Sequence, residues 1–428
     1  MTIKHLYPTQ RPSLDLNFAR TKRLDPRVDF ERFSVGTYVG NDGLIKTAVD
    51  HEPRFDHDPV TGESLGLLVE EERTNLVDNS IPIDFSTNEW RALNGTNTAN
   101  SATSPDGSST AAKFVSTSGQ TDIRQYIPQT AVVSGNTYVV SLFVKANPYS
   151  YFRVGKTGVS DISGTQSSSF GATFDLNTGT TDGLGNTDSW IEDYGNGWYR
   201  CSVAFIANSN TNAFIIFYPK NSSYDSLTGD GVSGFYFWGG VIEEGSFPTS
   251  YIPTSGSTVT RAADVASITG SNFSSWYNQS EGSLFSQYIP TAGYGRIKFW
   301  NGKGNNLNYW STGPTSTASG VFGFSTRSNQ GSTTSNGYRG RIEDSTNYGY
   351  VIKHAAAIAD NDFACYTSSS SGDVDLNTGS PVPAIGEYLT PLVDRLILTD
   401  NLTGVIRLSR LTYYPTRLSD TILQNLTL

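Results

Sequence analysis

The sequence predicts an all-β protein, with an N-terminal segment, two antiparallel β-sandwiches and a short C-terminal helix. Aromatic residues make up 12% of the 428 residues, and short β-branched and aromatic runs are separated by turns rich in Gly, Asn and Ser. There is a single Met, and the Ala-, Leu-, Glu- or Lys-rich runs typical of helices are nearly absent. This pattern is typical of sandwiches and barrels.

The distribution of charge divides the chain near residue 80. Charged residues make up 16% of the chain, below the roughly 25% usual for soluble domains. Residues 1–80 nevertheless carry 24 of the 70 Lys, Arg, Asp and Glu residues. We therefore predict an N-terminal anchoring and assembly segment (1–80), a first sandwich (81–253), a linker or seam (254–269) and a second sandwich (270–428).

The N-terminal segment has little apolar patterning. Asn41-Asp42-Gly43 separates the runs 33–39 and 44–49 and predicts a hairpin. The run 64–69 is a further strand candidate. A segment with so thin a core is more stable when it packs on a neighbouring domain or on another copy of the chain.

Strand candidates continue through both predicted sandwiches. The run 136–146 alternates apolar and polar residues over much of its length, as expected for a strand with one buried face. The pentapeptide Asp-Leu-Asn-Thr-Gly occurs at 175–179 and 375–379 and predicts a turn in both places, either by duplication or as a shared hairpin solution. Ser419 is the expected N-cap of the C-terminal helix, predicted over 420–426.

Composition also bears on partners and compartment. The net charge of −10 argues against binding to nucleic acid or to an anionic membrane surface. No apolar run approaches the ~18 residues of a membrane span, and the first residues lack the apolar stretch of a signal peptide. Cys201 and Cys365 lie far apart among apolar and aromatic neighbours. We expect two buried free thiols, in keeping with synthesis in a reducing cytoplasm.

Three long motifs together carry a resemblance to a known class of proteins. PRFDHDPVTGESLGLLVEEERTNL (53–76) resembles a segment near the N-terminus of structural proteins of tailed bacteriophages. GSFPTSYIPTSGSTVTRAADV (245–265) is similar to the seam that follows their first sandwich, and LTYYPTRLSDTILQNLT (411–427) to their closing strand and helix. His57 departs from the pattern, which favours Tyr at that position.

The resemblance implies a virion protein of the fibre, spike or capsid-appendage type. It implies a jelly-roll middle domain like a carbohydrate-binding module, and a C-terminal domain of the concanavalin or laminin-G kind. Such fibres and spikes are commonly homo-trimers. The implied partners are other copies of the chain, capsid or tail proteins and host surface polysaccharide.

The motif at 53–76 and its flank carry the densest acidic run and two histidines. A metal site or an acid–base pair is one interpretation of six residues, namely Asp50, His51, Glu52, Asp56, His57 and Asp58. The stretch lacks a ligand spacing such as HExxH, however, and its prolines favour extended backbone with side chains that alternate in direction. We therefore predict surface salt bridges or a subunit contact instead.

The end of the same motif is predicted to be an assembly interface. Glu70, Glu71, Glu72 and Arg73 follow an apolar run and are expected at a contact with another chain or with the first sandwich. The alternative is a solvated charged face. No spaced pair of carboxylates, nucleophile elbow or phosphate-binding loop is evident, so we predict no catalytic residues, no metal and no cofactor.

Aromatic residues are the stronger functional signal, because sugar rings stack on Trp and Tyr while Asn and Arg bind the hydroxyl groups. One Gly-rich run with two later residues forms the predicted glycan site, namely Trp300, Asn301, Asn305, Asn308, Tyr309, Trp310, Tyr338 and Arg339. The alternative is that the two tryptophans are core residues. A similar and weaker case exists in the first sandwich for Tyr149, Tyr151, Trp190 and Tyr194.

These observations predict a non-enzymatic virion structural protein. It would attach to the particle through its N-terminal segment and present sandwiches that bind host glycans. The alternatives are a capsid decoration protein without a receptor role and a polysaccharide depolymerase.

Overall fold

The computed structural model describes most of the chain from residue 8 to residue 428. The described residues exclude 87, 129, 156–170, 185–186, 208–210, 214, 304–305, 315–320, 331–332, 344–348, 360–361, 371–373 and 376–390. Side chains are also not described at 211–213, 292–296, 300–303, 306–308, 313–314, 321–330, 333–343, 363, 374–375 and 399–403. The described part is mostly β, with antiparallel strands and a few short helices, so the predicted all-β class is confirmed.

The middle of the chain forms a sandwich of two antiparallel sheets. Its strands are β8 (Ala92–Leu93), β9 (Gly95–Ala102), β10 (Ala111–Ser116), β11 (Arg124–Tyr126), β12 (Thr130–Val132), β13 (Thr137–Asn147), β14 (Tyr151–Gly155), β15 (Gly171–Asp175), β16 (Thr180–Gly183), β17 (Ser189–Asp193), β18 (Trp198–Ile206), β19 (Thr211–Ala213), β20 (Ile216–Lys220) and β21 (Gly234–Glu244). The first sheet has the strand order β17-β18-β13-β21-β10-β9, and the second sheet has the order β16-β15-β14-β20-β11-β8. A small separate sheet pairs β12 with β19.

The sandwich core follows from the two-residue period of its strands. Val140, Leu142 and Val144 alternate along β13 and share one buried cluster with Phe152 of β14 and Phe217 of β20. Alternate residues of β14 and β20 therefore point away from this core, on the outer face of the second sheet.

The C-terminal part of the chain has the elements β22 (Val259–Arg261), β23 (Val265–Thr269), α2 (Gly270–Ser274), β24 (Glu281–Lys303), β25 (Asn306–Pro314), β26 (Val321–Gln330), β27 (Thr333–Glu343), β28 (Ile352–Ala359), β29 (Asp362–Ser369), β30 (Val374–Asp375), β31 (Arg395–Tyr414) and α3 (Asp420–Thr427). Its strands other than β22 form one large sheet, whose central path runs through β31 and β24. The closing helix agrees with the prediction; Ser419 is its N-cap residue and makes no side-chain capping bond.

The first 80 residues do not form a unit of their own. Their elements are β1 (Leu14–Leu16), α1 (Phe18–Thr21), β2 (Asp29–Glu31), β3 (Gly36–Val39), β4 (Ile45–Ala48), β5 (Arg54–His57), β6 (Ser64–Glu70) and β7 (Arg73–Asn75). β1 pairs with β31 through Leu14 and Tyr413, and β6 pairs with β31 through Val69 and Ile406. Leu14 and Val69 enter the same core as Trp310. Part of the thin apolar content of this segment is thus buried on the C-terminal sheet.

This pairing differs from the predicted domain division. The boundary at residue 80 follows the change in charge, whereas four strands before it (β1, β2, β5 and β6) belong to the sheet of residues 265–414. The predicted linker 254–269 also contains ordered structure, because β22 pairs with β7 and β23 pairs with β2 and β31. The middle sandwich is therefore inserted between parts of the chain that share one sheet.

Local turn signals match the structure. Asn41-Asp42-Gly43 connects β3 and β4, which pair as an antiparallel hairpin. Gly43 has φ +75°, and a Cβ there would lie 2.5 Å from the carbonyl oxygen of Pro59, so a larger residue is excluded. Asp-Leu-Asn-Thr-Gly at 175–179 turns the chain from β15 to β16, and most of its second copy at 375–379 lies outside the described residues.

Candidate functional site

The predicted assembly residues begin with a glutamate that is buried inside the chain. Glu70, at the end of β6, is 1% exposed. Its carboxylate accepts hydrogen bonds from the backbone N–H of Ser250 (2.8 Å) and from the Ser250 hydroxyl (2.6 Å), and it pairs with Arg54 at 2.6 Å. The N-terminal segment is thereby joined to the end of the middle sandwich.

Asp264 extends this contact into a network, which we call the ion-pair junction (Arg32, Arg54, Glu70, Arg261 and Asp264). Asp264 pairs with Arg54 at 2.5 Å and with Arg32 at 3.1 Å, while Arg261 lies 3.4 Å from Glu70. All five side chains are buried. Burial by itself would raise the pKa of Glu70, but the charges of Arg261 and Arg54 and the bonds from Ser250 hold that pKa far below its usual range.

The rest of the acidic run also contacts the middle sandwich. Arg73 forms an ion pair with Glu71, lies 3.8 Å from Glu243 of β21, and stacks over the Phe247 ring at 5.0 Å. Glu72 is exposed. The structure thus shows the contact with the first predicted sandwich, and a contact with another chain stays a prediction.

A cavity beside the ion-pair junction is too small for a substrate. Its volume is about 40 Å³, and its lining includes Tyr194, Arg200 and Arg407. A buried water needs roughly 10–15 Å³ of such volume, so the cavity has room for a few waters. Burial raises the pKa of Tyr194, which keeps this phenol neutral at the lining.

The six acidic and histidine residues near the junction do not converge on one point. Asp56 pairs with Arg407 at 2.6 Å and accepts the backbone N–H of Val39 at 2.8 Å. Nδ1 of His57 lies 3.0 Å from the Val39 carbonyl oxygen, while His51 is exposed and lies 3.7 Å from Asp50. Within the described residues, no three His, Cys, Asp or Glu side chains are grouped so that they could hold a metal ion.

The predicted glycan run forms the β24–β25 hairpin, in which Trp300 pairs with Tyr309 and Asn301 with Asn308. Trp310 is fully buried and stacks on Phe299 with 4.4 Å between ring centroids. For Trp310 the prediction is corrected: the large indole packs in the core, where a sugar cannot reach its faces.

Of the other residues of the predicted glycan site, the structure describes the side chain of Tyr309 alone. Tyr309 is half-buried, with the Lys298 ammonium 4.8 Å from its ring centroid. The side chains of five members, and Asn305 altogether, lie outside the described residues; these five are Trp300, Asn301, Asn308, Tyr338 and Arg339. Their role stays a prediction.

Three of the four aromatic residues singled out in the middle sandwich pack against other parts of the chain. Tyr149 packs against the core and hydrogen-bonds Ser116 at 2.8 Å. Trp190 packs against the small cluster of Leu68, Phe247 and Val405, and Tyr194 lines the small cavity. Tyr151 differs, because it lies on the outer face of the second sheet.

Tyr151 belongs to a surface that we call the tyrosine face (Tyr151, Arg153, Tyr218, Lys220 and Tyr224). The strand register sets Tyr151 opposite Lys220 and Arg153 opposite Tyr218, on the side of the sheet away from the core. Tyr224 adds a third ring from the loop after β20, with its centroid 5.7 Å from that of Tyr151 at 88°. All five residues are half-buried.

The environment of Tyr218 is rich in cations. The Arg124 guanidinium and the Lys220 ammonium each lie 5.7 Å from its ring centroid. A groove of about 250 Å³ adjoins these three residues and also includes Asp122 and Ser226. Aromatic rings beside charged and hydroxyl groups give a surface that can stack on a ligand ring and bind its polar substituents.

Sequence reasoning missed most of this surface. The alternation Tyr151-Phe152-Arg153-Val154 carries the signal, as does Phe217-Tyr218-Pro219-Lys220, since each places polar and aromatic groups on one face of a strand. Their pairing across β14 and β20 joins residues about 65 positions apart and carries no local pattern.

Comparisons with known proteins add little to these observations. No protein-family model matches the sequence, and no curated protein matches it. The structure is similar to that of the mouse laminin alpha1 chain, domains LG4-5, at 10% identity, over 69% of this chain and 85% of that chain, with a TM-score of 0.19. A superposition this loose carries no argument beyond the β class that the strands themselves show.

Among the described residues, no helix is both long enough and apolar enough to cross a membrane.

Proposed function

We propose that the chain is a non-enzymatic structural protein of a tailed-phage virion that binds host surface glycan through the tyrosine face. The observation that carries the binding role is the outward pair Tyr151 and Tyr218 on the sheet, with Tyr224 beside them from the loop after β20. Rings fixed on a sheet lose little conformational freedom on binding, so they suit the flat C–H faces of sugars.

The virion assignment draws on the three motifs that resemble phage structural proteins. The two sandwich-like parts and the closing helix suit the same assignment. We propose that the protein acts as a homo-trimer, in which weak sugar contacts gain strength because several sites engage one polymer.

An exposed apolar patch on the N-terminal segment favours attachment of this segment to the particle or to another copy. Phe33, Val35 and Val49 are 71%, 42% and 61% exposed. They lie in two neighbouring loops that are linked by the hydrogen bond from Arg32 to the Val49 carbonyl oxygen at 2.8 Å. Exposed apolar groups next to a rigid junction are typical of a contact surface.

The test is binding of the full chain to a panel of purified bacterial surface polysaccharides. Tyr218→Ala and Tyr151→Ala should each weaken binding by about ten-fold or more, because truncating an aromatic anchor typically costs about 2 kcal/mol. Tyr350→Ala is the matched control: Tyr350 is 43% exposed, lies outside the tyrosine face and should have no effect.

Three outcomes would contradict the proposal. Release of new reducing ends by the purified chain would favour a depolymerase. Virions that lack the protein but adsorb normally and have weakened heads would favour capsid decoration. Binding that survives both tyrosine substitutions would place the glycan site elsewhere, with the β24–β25 hairpin as the next candidate.

A further inference from the structure

The cationic side chains on and beside the tyrosine face differ in whether a carboxylate pairs with them. Arg124 is neutralised by Asp122, which it contacts with Nε at 2.7 Å and Nη2 at 2.9 Å. Within the described residues, by contrast, neither Arg153 nor Lys220 has a carboxylate at ion-pair distance. Asp225 and Asp122 act on Lys220 only from farther away.

The unmatched cations are close together and partly removed from water. Burial lowers the pKa of Arg153, and burial together with the charge of Arg153 lowers the pKa of Lys220. Nε of Arg153 is buried and has no hydrogen-bond partner in the described structure. Two half-buried cations side by side are unfavourable in the free protein, and an anion placed between them would relieve that repulsion.

This arrangement is unusual for the chain as a whole. The protein carries a net charge of −10, so its overall field repels polyanions. The face is not positive overall, because the strand register sets Asp175 opposite Tyr151, and Asp122 and Asp225 act on Lys220 from farther away. The unmatched positive charge is confined to the neighbouring side chains of Arg153 and Lys220, and this pair needs a local explanation. The adjoining groove of about 250 Å³ is smaller than the roughly 300–1,000 Å³ of pockets that enclose a whole drug-sized ligand. It suits one unit of a longer ligand lying along the face.

From these contacts we infer that the tyrosine face selects acidic polysaccharide, with Arg153 and Lys220 binding the carboxylate of a uronic or sialic acid unit while Tyr218 stacks on its ring. This inference rests on the proposed glycan-binding function and names the ligand class. Guanidinium groups bind carboxylates with charge-assisted hydrogen bonds, which are stronger than those to neutral hydroxyl groups.

The test compares polymers that differ only in charge. The full chain is titrated with polygalacturonate and its methyl ester, with alginate and carboxyl-reduced alginate, and with neutral dextran and mannan. The affinity of the chain for the acidic member of each pair should be at least about ten-fold higher than for its neutral partner, as expected for a hydrogen bond to a charged group. This preference should shrink between about 0.1 M and 1 M salt, because the Debye length falls from about 10 Å to about 3 Å.

Variants assign the preference to the face. Arg153→Gln and Lys220→Gln should each remove most of the preference for acidic polymers, while Arg153→Lys should retain it. Lys113→Gln is the matched control, since Lys113 carries the same charge on the outer side of the opposite sheet, with Ala112 and Phe114 beside it in the core. Thermal unfolding of each variant checks that the sandwich is intact.

The outcomes separate this inference from the proposed function. Neutral and acidic partners binding equally, with loss in Tyr218→Ala, would overturn the acidic preference and leave glycan binding standing. Selective binding of acidic polymers that survives Arg153→Gln and Lys220→Gln would also overturn it. If the wild-type chain binds no polymer in either panel, the proposed function fails and the inference fails with it.

Discussion

The ion-pair junction and the tyrosine face both concentrate arginine and other charged side chains, but they use them in opposite ways. At the junction, Glu70 and Asp264 are shared among three guanidinium groups, and all five side chains are buried. On the face, Arg153 and Lys220 are half-buried and have no carboxylate partner at ion-pair distance among the described residues.

This difference separates charges that hold the chain together from charges available to a ligand. The junction links β5, β6 and the segment 250–264, so losing one partner leaves a buried charge without its counter-charge. The face makes no such link. Its cations repel each other in the free protein, and Asp225 and Asp122 act on Lys220 only from farther away.

The largest expected effect is on stability at the junction. Glu70→Ala should lower the free energy of unfolding by about 3–5 kcal/mol, because it leaves Arg54 and Arg261 buried without their carboxylate. Urea denaturation measures this change. Glu72→Ala is the control: Glu72 is exposed, and its loss should change stability by less than about 0.5 kcal/mol. Equal losses of stability in the two variants would contradict the structural role assigned to the ion-pair junction.

A comparably large effect should separate a core aromatic residue from one on the face. Trp310→Ala should cost about 3–5 kcal/mol, because it empties a buried site that is stacked on Phe299. Tyr218→Ala should cost about 1 kcal/mol or less, since its ring is half-buried on the outside of a sheet. Calorimetry of both variants decides the point, and a fully folded Trp310→Ala that loses only glycan binding would restore the predicted role of that tryptophan.

Acid should weaken the junction in a defined direction. The pKa of Glu70 is lower in the folded state than its ordinary value of 4.5. Its stabilisation is therefore fully present above that value and is lost as pH falls through the lower, folded-state pKa. The difference in unfolding free energy between the wild type and Glu70→Gln should shrink on going from about pH 7 to about pH 3. A difference that stays constant over this range would show that the pKa of Glu70 is the same in the folded and unfolded states, so that the arginines do not stabilise its carboxylate.

The smallest expected effect is on the stability of an Arg153 variant, and its sign is opposite to that of the substitutions above. Arg153→Met should leave stability unchanged or raise it by up to about 1 kcal/mol, because it removes a half-buried cation next to Lys220 and keeps the apolar stem. Thermal unfolding at neutral pH measures this. A loss of about 2 kcal/mol or more would mean that Arg153 is a structural residue, and the contrast with the junction would fail.

The parts of this structure that could be predicted from sequence depend on neighbouring residues. The hairpin at Asn41-Asp42-Gly43, the turn at 175–179 and the closing helix each follow from turn or cap chemistry within a few positions. The buried free thiols Cys201 and Cys365 follow from their apolar neighbours and are confirmed.

Long-range pairing accounts for what could not be predicted. Leu14 pairs with Tyr413, and Glu70 binds Ser250 and Arg261, across separations that no local pattern encodes. For the same reason, the acidic run of the motif at 53–76 is typical of a surface contact in sequence, while its first glutamate is buried. Trp310 shows a related limit, since an aromatic residue in an Asn- and Gly-rich run has the same sequence pattern in a core strand and on a binding surface.

The central claim, that the tyrosine face is the ligand-binding surface, is tested most directly by hydroxyl-radical footprinting of the full chain. The chain is labelled with and without the polysaccharide that binds it most tightly. We predict that labelling falls at Tyr151, Tyr218 and Tyr224 and is unchanged at Tyr350, which is exposed and lies outside the face. Protection at Tyr309 or Tyr338 with unchanged labelling of the three face tyrosines would contradict the claim.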